Sequence, residues 1–362
     1  MFDQVYRELA LRLDSIPPGF PATESGVELQ LLARLYTREE ATIVAAMRLT
    51  YETAGDIAAR AGMDAGTAYE ILSGAARKGL VRARPGEQER TFALKAGRAG
   101  LAGYGFRDVL RHADPKTEEL YLQWAQETRG GAISDYPAAR RVIAVEQAIP
   151  FRHEIHPYEQ ASEILSRAKS WGVADCACRT RTRHAGQGCS YPLSVCLFMS
   201  PDEDAFEDDE LIRAISHEEA LRILRESSDS GLVHTTANVG DHGPIICNCC
   251  PCCCPSLRAV IEFHRPTAVA HSDFRATVDE AACAGCGDCI ERCHFSALSL
   301  LEGVCVVDHA RCMGCGLCAV ACPQDALSLV RRPEGETPPP PADMDKWTAE
   351  YAKMRGISLT EL

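Results

Sequence analysis

The chain has 362 residues, is 46% hydrophobic and 25% charged, and carries a formal net charge of −13. This length suits two or three domains that each bury a core, and these fractions exclude wholesale disorder and a fibrous protein. The acidic balance speaks against general affinity for nucleic acid or an anionic membrane surface, and the apolar runs are too short and broken for a membrane span. The opening Met1-Phe-Asp-Gln-Val-Tyr-Arg-Glu lacks the basic-then-apolar pattern of a secretory signal, so a soluble, cytoplasmic protein is expected.

Residues 1–100 contain no cysteine and read as mostly helical. Thr37-Arg-Glu-Glu40 is a capping box ahead of the apolar positions Ile43, Val44 and Met47. A short helix fits Thr53 to Ala61, with Gly62 as its stop. A longer one fits Asp64 to Lys78, with Tyr69, Ile71, Leu72 and Ala76 facing a core and Gly79 closing it. Leu80–Arg84, a Pro85-Gly86 turn and Arg90–Leu94 then predict a hairpin. Three helices followed by a hairpin resemble a winged helix, here over residues 30–95.

Residues 101–275 form a central region that is expected to be mainly helical. Helices are predicted at Tyr158–Ser170, with an exit at Trp171-Gly172, and at Ser216–Glu226, which opens on the box Ser216-His-Glu-Glu219 and leaves at Gly231. Between them Pro201–Glu210 is a strongly acidic stretch that reads as a solvated loop. Pro255–Phe263 reads as a helix with proline in its first turn.

Residues 276–332 contain an internal repeat. Cys283-Ala-Gly-Cys-Gly-Asp-Cys-Ile-Glu-Arg-Cys293 matches Cys312-Met-Gly-Cys-Gly-Leu-Cys-Ala-Val-Ala-Cys322 at an offset of 29, and Ala297–Leu300 matches Ala326–Leu329 at the same offset. The run Glu334–Pro341 is a stiff extended linker, and Asp343–Arg355 fits one helix. The expected fold is therefore α+β and multidomain. It comprises a winged-helix-like domain (1–100), a central cysteine-rich domain (101–275), a two-cluster ferredoxin-like domain (276–332), and a Pro-rich linker with a C-terminal helix (333–362).

All 19 cysteines fall between Cys176 and Cys322. The count is odd and the expected compartment reducing, so a disulfide framework is not expected and metal is. C-x2-C-x2-C-x3-C occurs twice. Three thiolates two residues apart wrap one cubane, and the fourth crosses to the other cluster. On that rule Cys283, Cys286, Cys289 and Cys322 hold one [4Fe-4S] cluster, and Cys312, Cys315, Cys318 and Cys293 hold the other. The segment resembles the bacterial two-[4Fe-4S] ferredoxins, which implies a pseudo-twofold fold and rapid electron transfer between the clusters. The second run ends Cys322-Pro323, as that family expects, whereas the first ends Cys293-His294. Zinc at either quartet is the rival reading. Cys305, in the apolar run Gly303–Val307, reads as a buried packing thiol.

Ten more cysteines lie in the central region: Cys176, Cys178, Cys189 and Cys196, then Cys247, Cys249, Cys250, Cys252, Cys253 and Cys254. One or two further iron–sulfur clusters are expected from them. Neighbouring cysteines in extended chain point to opposite faces, so Cys247 pairs naturally with Cys249, and Cys252 with Cys254. Three assignments stay open. The first quartet holds one cluster and the later group another; or each group gives two ligands to one cluster; or adjacent cysteines hold a non-cubane cluster. Arg179, Arg181 and Arg183 either offset cluster charge, receive an anionic partner group, or form a solvated basic loop. Together Cys176–Arg179, Cys247–Cys254 and Cys283–Cys322, behind a cysteine-free helical domain, resemble a group of multi-cluster proteins of anaerobic bacteria, which implies a role in anaerobic electron transfer.

No Walker loop, strand–GxGxxG–helix unit, G-x-S-x-G elbow or H-E-x-x-H motif is present. His153, His156, His184, His234, His242, His264 and His271 form no metal-ligand spacing. The helix that would read DNA begins Asp64-Ala-Gly-Thr-Ala-Tyr-Glu70, without polar base readers, and Arg77, Lys78, Arg82 and Arg84 would touch only phosphates. The leading expectation is an electron-transfer subunit working with a redox partner, a flavoprotein or low-potential reductase. The alternatives are a redox- or oxygen-sensing DNA-binding regulator and a reductase whose central cluster has an open iron site.

Overall fold

Asp3 accepts a hydrogen bond from the Val5 amide and so starts the first helix, α1 (Gln4–Asp14). The computed structural model describes residues 3–16, 19–86, 89–95, 114–130, 133–150, 160–241 and 243–358, which include all the cysteines. His153, His156, Tyr158 and His242 lie outside the described residues. The chain folds as two units: Met1–Ser134 with Thr180–Gly188 and Thr348–Leu362, and Asp135–Arg179 with Cys189–Trp347.

In the first unit α1 is followed by α2 (Val27–Leu35), α3 (Arg38–Ala45), α4 (Ala54–Ala61) and α5 (Ala65–Arg77). The capping box is complete: the Glu40 amide donates to Thr37 Oγ1 at 3.2 Å, and the Thr37 amide to Glu40 Oε2 at 2.9 Å. Thr53 caps α4, which ends at Gly62 with φ +68°, and Asp64 caps α5. Strands β1 (Val81–Pro85) and β2 (Arg90–Leu94) pair antiparallel from Val81↔Leu94 to Pro85↔Arg90. The apolar stripe of α5 differs from the expected one: Ala68, Leu72 and Ala75 are buried and Tyr69 is 37% exposed, set edge-on to Phe92. Arg82 and Arg84 both lie over the Tyr51 ring, and Arg82 also donates to the Leu49 carbonyl. In the helix Pro115–Glu127 the carboxylate of Glu118 is fully buried and pairs with Arg181 at 2.6 Å, while Arg181 also lies over Tyr121.

The second unit corrects the expectation of a mainly helical centre. Its core is a six-stranded antiparallel sheet in the order β3-β7-β8-β5-β4-β6. The strands are β3 (Arg140–Val142), β4 (Ser170–Asp175), β5 (Ser194–Ser200), β6 (Arg213–Ile215), β7 (Val233–Ala237) and β8 (Ile245–Cys249). Strand β7 is buried on both faces, so its sequence shows no apolar–polar alternation. The helix expected over 158–170 covers only Ala161–Ser166, and Trp171-Gly172 lies within β4 rather than at a helix exit. Gly172 is there for close packing: a Cβ would stand 2.4 Å from Ile212 Cγ2. The helix after Ser216 does form, over His217–Asp229, and packs Ala220, Ile223 and Leu224 against Val173, Val195, Leu197 and Ile246 of the sheet. Among the described residues no helix is long and apolar enough to cross a membrane.

After the helix Pro255–Ile261 come two small antiparallel sheets. Strand β9 (Phe274–Val278) pairs with β12 (Leu327–Arg331), and β10 (Leu298–Leu301) with β11 (Val304–Val307). The structure is thus mixed helix and strand, and the predicted C-terminal helix forms over Met344–Arg355.

Candidate metal centres

The cysteine runs of the repeat fold alike. Each makes a loop and a short helix, Asp288–Arg292 or Leu317–Val320, entered through a left-handed glycine, Gly287 or Gly316. Gly285 and Gly314 have positive φ and no room for a side chain. A Cβ on Gly285 would lie 2.2 Å from the Gly303 carbonyl oxygen, and one on Gly314 2.0 Å from that of Phe274. These contacts are related by the offset of 29, as Phe274 is to Gly303. The repeat therefore begins earlier in space than in the cysteine pattern, and includes β9 and β11.

Two small cavities lie in this region. Cys283, Cys286, Cys289 and Cys322 line the first, together with Cys305; Cys293, Cys312, Cys315 and Cys318 line the second. Each cavity gathers one of the expected quartets. Backbone amides aim at the sulfurs in symmetric pairs. Cys305 N–H donates to Cys283 Sγ at 3.4 Å and Ala276 N–H to Cys312 Sγ at 3.5 Å. Ala297 N–H donates to Cys293 Sγ at 3.4 Å and Ala326 N–H to Cys322 Sγ at 3.3 Å. Sulfurs that accept amide hydrogen bonds in a thiol-lined cavity are chemically suited to anionic iron–sulfur clusters, so the residues present fit the group. Burial pushes Cys315 up to about 12 and Cys318 higher still; a thiolate there is stable only beside compensating positive charge, which iron supplies. Cys305 is buried and occupies the place that Ala276 holds in the other half. Its sulfur touches Cys289 Sγ at 3.6 Å. His294, where the ferredoxin pattern expects proline, contacts the Gly231 carbonyl oxygen through Nε2 at 2.7 Å.

The register of the large sheet sorts the central cysteines. Leu197 pairs with Ile246, so Cys196 lies across from Cys247, and Cys249 is on that same face. The opposite face carries Val195, Leu197 and Ile246 into the apolar core. The thiols of Cys178, Cys176, Cys196, Cys247, Cys249 and Cys254 neighbour one another in that order, one continuous line of six in which each shifts the titration of the next. The Cys178 and Cys196 thiols, then Arg179, hold Cys176 well below the usual thiol range. The Cys196 and Cys249 thiols, then Arg140, do the same for Cys247. Arg140 Nη1 lies 3.3 Å from Cys247 Sγ.

The other four sulfurs, of Cys189, Cys250, Cys252 and Cys253, all come within 4.8 Å of one another. By position the central ten fall into a group of six and a group of four, each drawing on both the earlier and the later cysteines. Cys249 and Cys250 do point to opposite sides, as extended chain requires. Cys252 and Cys254, expected as a pair, separate because residues 251–253 form a turn rather than a strand.

Arg179 is fully buried on the helix Ala177–His184. Its Nε donates to Cys250 Sγ at 3.4 Å, and its Nη atoms donate to the carbonyls of Pro192 and Asn248. Burial works against its charge, but Cys176 and Cys250 hold it firmly protonated. Arg181 is buried too, and only Arg183 is exposed, so these arginines do not form a solvated loop. Sequence reasoning missed Arg140 altogether; an arginine beginning a three-residue strand gives no local signal.

Residues 305–328 match the family model of the 4Fe-4S binding domain. That span holds the second cysteine run, Cys312 to Cys322, and supports at least one [4Fe-4S] cluster. No curated protein and no solved structure matches the chain. Near its C-terminal end this chain carries an iron–sulfur domain of ferredoxin type.

Proposed function

We propose that this chain is an iron–sulfur electron-transfer protein, or the electron-transfer subunit of an oxidoreductase, exchanging electrons with a partner such as a flavoprotein or low-potential reductase in anaerobic metabolism. The observation that carries the reading is the pair of thiol-lined cavities, each drawing three sulfurs from one arm of the repeat and the fourth from the other. In this reading Cys283, Cys286, Cys289 and Cys322 hold one [4Fe-4S] cluster, Cys293, Cys312, Cys315 and Cys318 a second, and the line of six central thiols a further one. Such clusters, when bound, take up and release single electrons with little rearrangement.

The residues set the direction of access. Cys286 is exposed, whereas no cysteine of the second quartet is and Cys312 and Cys318 are buried, so the first quartet is the outer and the second the inner of the two. The two quartets share one packed apolar cluster. Cys293 and Cys315 of the inner quartet pack in a second cluster, with Cys247, Cys249 and Cys254. The sites thus follow one another through continuous packing, from the exposed quartet to the large sheet. Arg140 and Arg179 offset negative charge at the inner end.

Stopped-flow mixing of the reduced holoprotein with a low-potential flavoprotein tests this. Reoxidation of the clusters faster than with an inert protein of equal charge is the expected result. Turnover of a small substrate by the chain alone would overturn it in favour of a self-sufficient reductase.

A further inference from the structure

We propose that Cys189, Cys250, Cys252 and Cys253 hold a single transition-metal ion in a tetrahedral four-thiolate site with no bridging sulfide. The inference goes beyond the electron-transfer reading and stands without it. Its basis is a difference in sulfur spacing within one molecule. In this group all four sulfurs lie within 4.8 Å of one another, with Cys253 Sγ 3.6 Å from Cys189 Sγ and 3.7 Å from Cys252 Sγ. Among the described residues no three sulfurs of the ferredoxin quartets, or of the six-thiol line, come together so closely.

The spacing has a simple geometric meaning. Four sulfurs around one ion at metal–sulfur bonds of about 2.3 Å form a tetrahedron with edges of about 3.8 Å. A cubane puts an iron and a corner of the cage between each pair of its thiolates, so its ligands stand further apart. The two contacts of 3.6 and 3.7 Å fit the first arrangement. Soft thiolates select zinc or iron over hard cations, so the ion is one of these two.

The chain geometry suits such a site. Cys250 directly follows β8, which ends at Cys249, and the turn over 251–253 brings Cys252 and Cys253 back beside it. Cys189 comes from a segment some sixty residues earlier. One ion would pin the turn after β8 to that segment. Buried Arg179 stands against Cys250 and offsets the negative charge that four thiolates leave on a divalent ion.

Full-length protein purified anaerobically, beside a Cys189→Ser/Cys252→Ser variant, is assayed for zinc, iron and acid-labile sulfide. The expected result is that the variant loses one metal atom per chain and no sulfide, the metal lost naming the ion. Loss of about four irons together with four sulfides would instead show a cubane at this site and overturn the proposal, as would no metal loss. Native mass spectrometry of the unaltered holoprotein does not depend on the variant folding. It is expected to show one metal atom beyond the iron–sulfide complement; a mass made up of iron–sulfide clusters alone contradicts the proposal. Sulfide and iron retained by the variant report the remaining clusters separately, so failure here and failure of the electron-transfer reading are distinguishable.

Discussion

Arg140 and Arg179 are cations placed against sulfur, one beside Cys247 and one beside Cys250. A cluster gains negative charge on reduction, so a nearby guanidinium favours the reduced form. Replacing Arg140 by glutamine is expected to make the potential of the cluster proposed on the six thiols more negative by about 60 mV, a tenfold change for one electron. EPR-monitored titration reads this, and an unchanged potential would contradict it. A different charge pair serves stability. Glu118 and Arg181 are both buried, and Glu118→Ala removes the carboxylate that pairs with the buried guanidinium, which is expected to cost about 3–5 kcal/mol. Denaturant unfolding checks this; Glu118→Leu with Arg181→Met is expected to recover most of the loss.

At the scale of elements, the glycine loops and caps dictate geometry that no side chain elsewhere can replace. Gly314→Ala would drive a methyl group into the Phe274 carbonyl while holding a positive φ, a strain of at least about 1–3 kcal/mol. The expected result is loss of the inner-quartet EPR signal with the outer one retained. Gly335→Ala, also at positive φ but with open space around it, is expected to keep both. Thr37→Ala removes one half of the capping box and is expected to lower stability by about 0.5–2 kcal/mol in thermal unfolding, with iron content unchanged. These same features explain what the sequence made legible. Caps at Thr37, Thr53, Asp64 and Ser216 act on the next few residues, so each is read locally. The repeat is legible because its offset carries the cysteines and the strands together. The large sheet was not, because β5 and β7 are buried on both faces: Val195, Leu197 and Met199 alternate with buried Cys196 and Phe198 instead of with polar residues, so no period of two shows. Gly172 shows the difficulty: a glycine that ends a helix and one that lets a strand pack closely look alike in one dimension. The six-and-four division of the central thiols was hidden for a related reason. It depends on which strands lie side by side, and that pairing joins residues as far apart as Cys196 and Cys247.

Across the second unit, the exposed quartet, the inner quartet and the six-thiol line follow one another through shared packing, and the compact group of four lies against Arg179. Eighteen of the 19 cysteines belong to these groups, and Cys305 packs beside them. The central claim is that the series carries clusters beyond the two of the repeat. Iron and acid-labile sulfide per chain, measured on anaerobically purified full-length protein with EPR of its reduced form, test this most directly. About twelve or more irons, a comparable sulfide content and a cluster signal distinct from the ferredoxin pair are expected. About eight irons and eight sulfides, with only the paired ferredoxin signal, would contradict it.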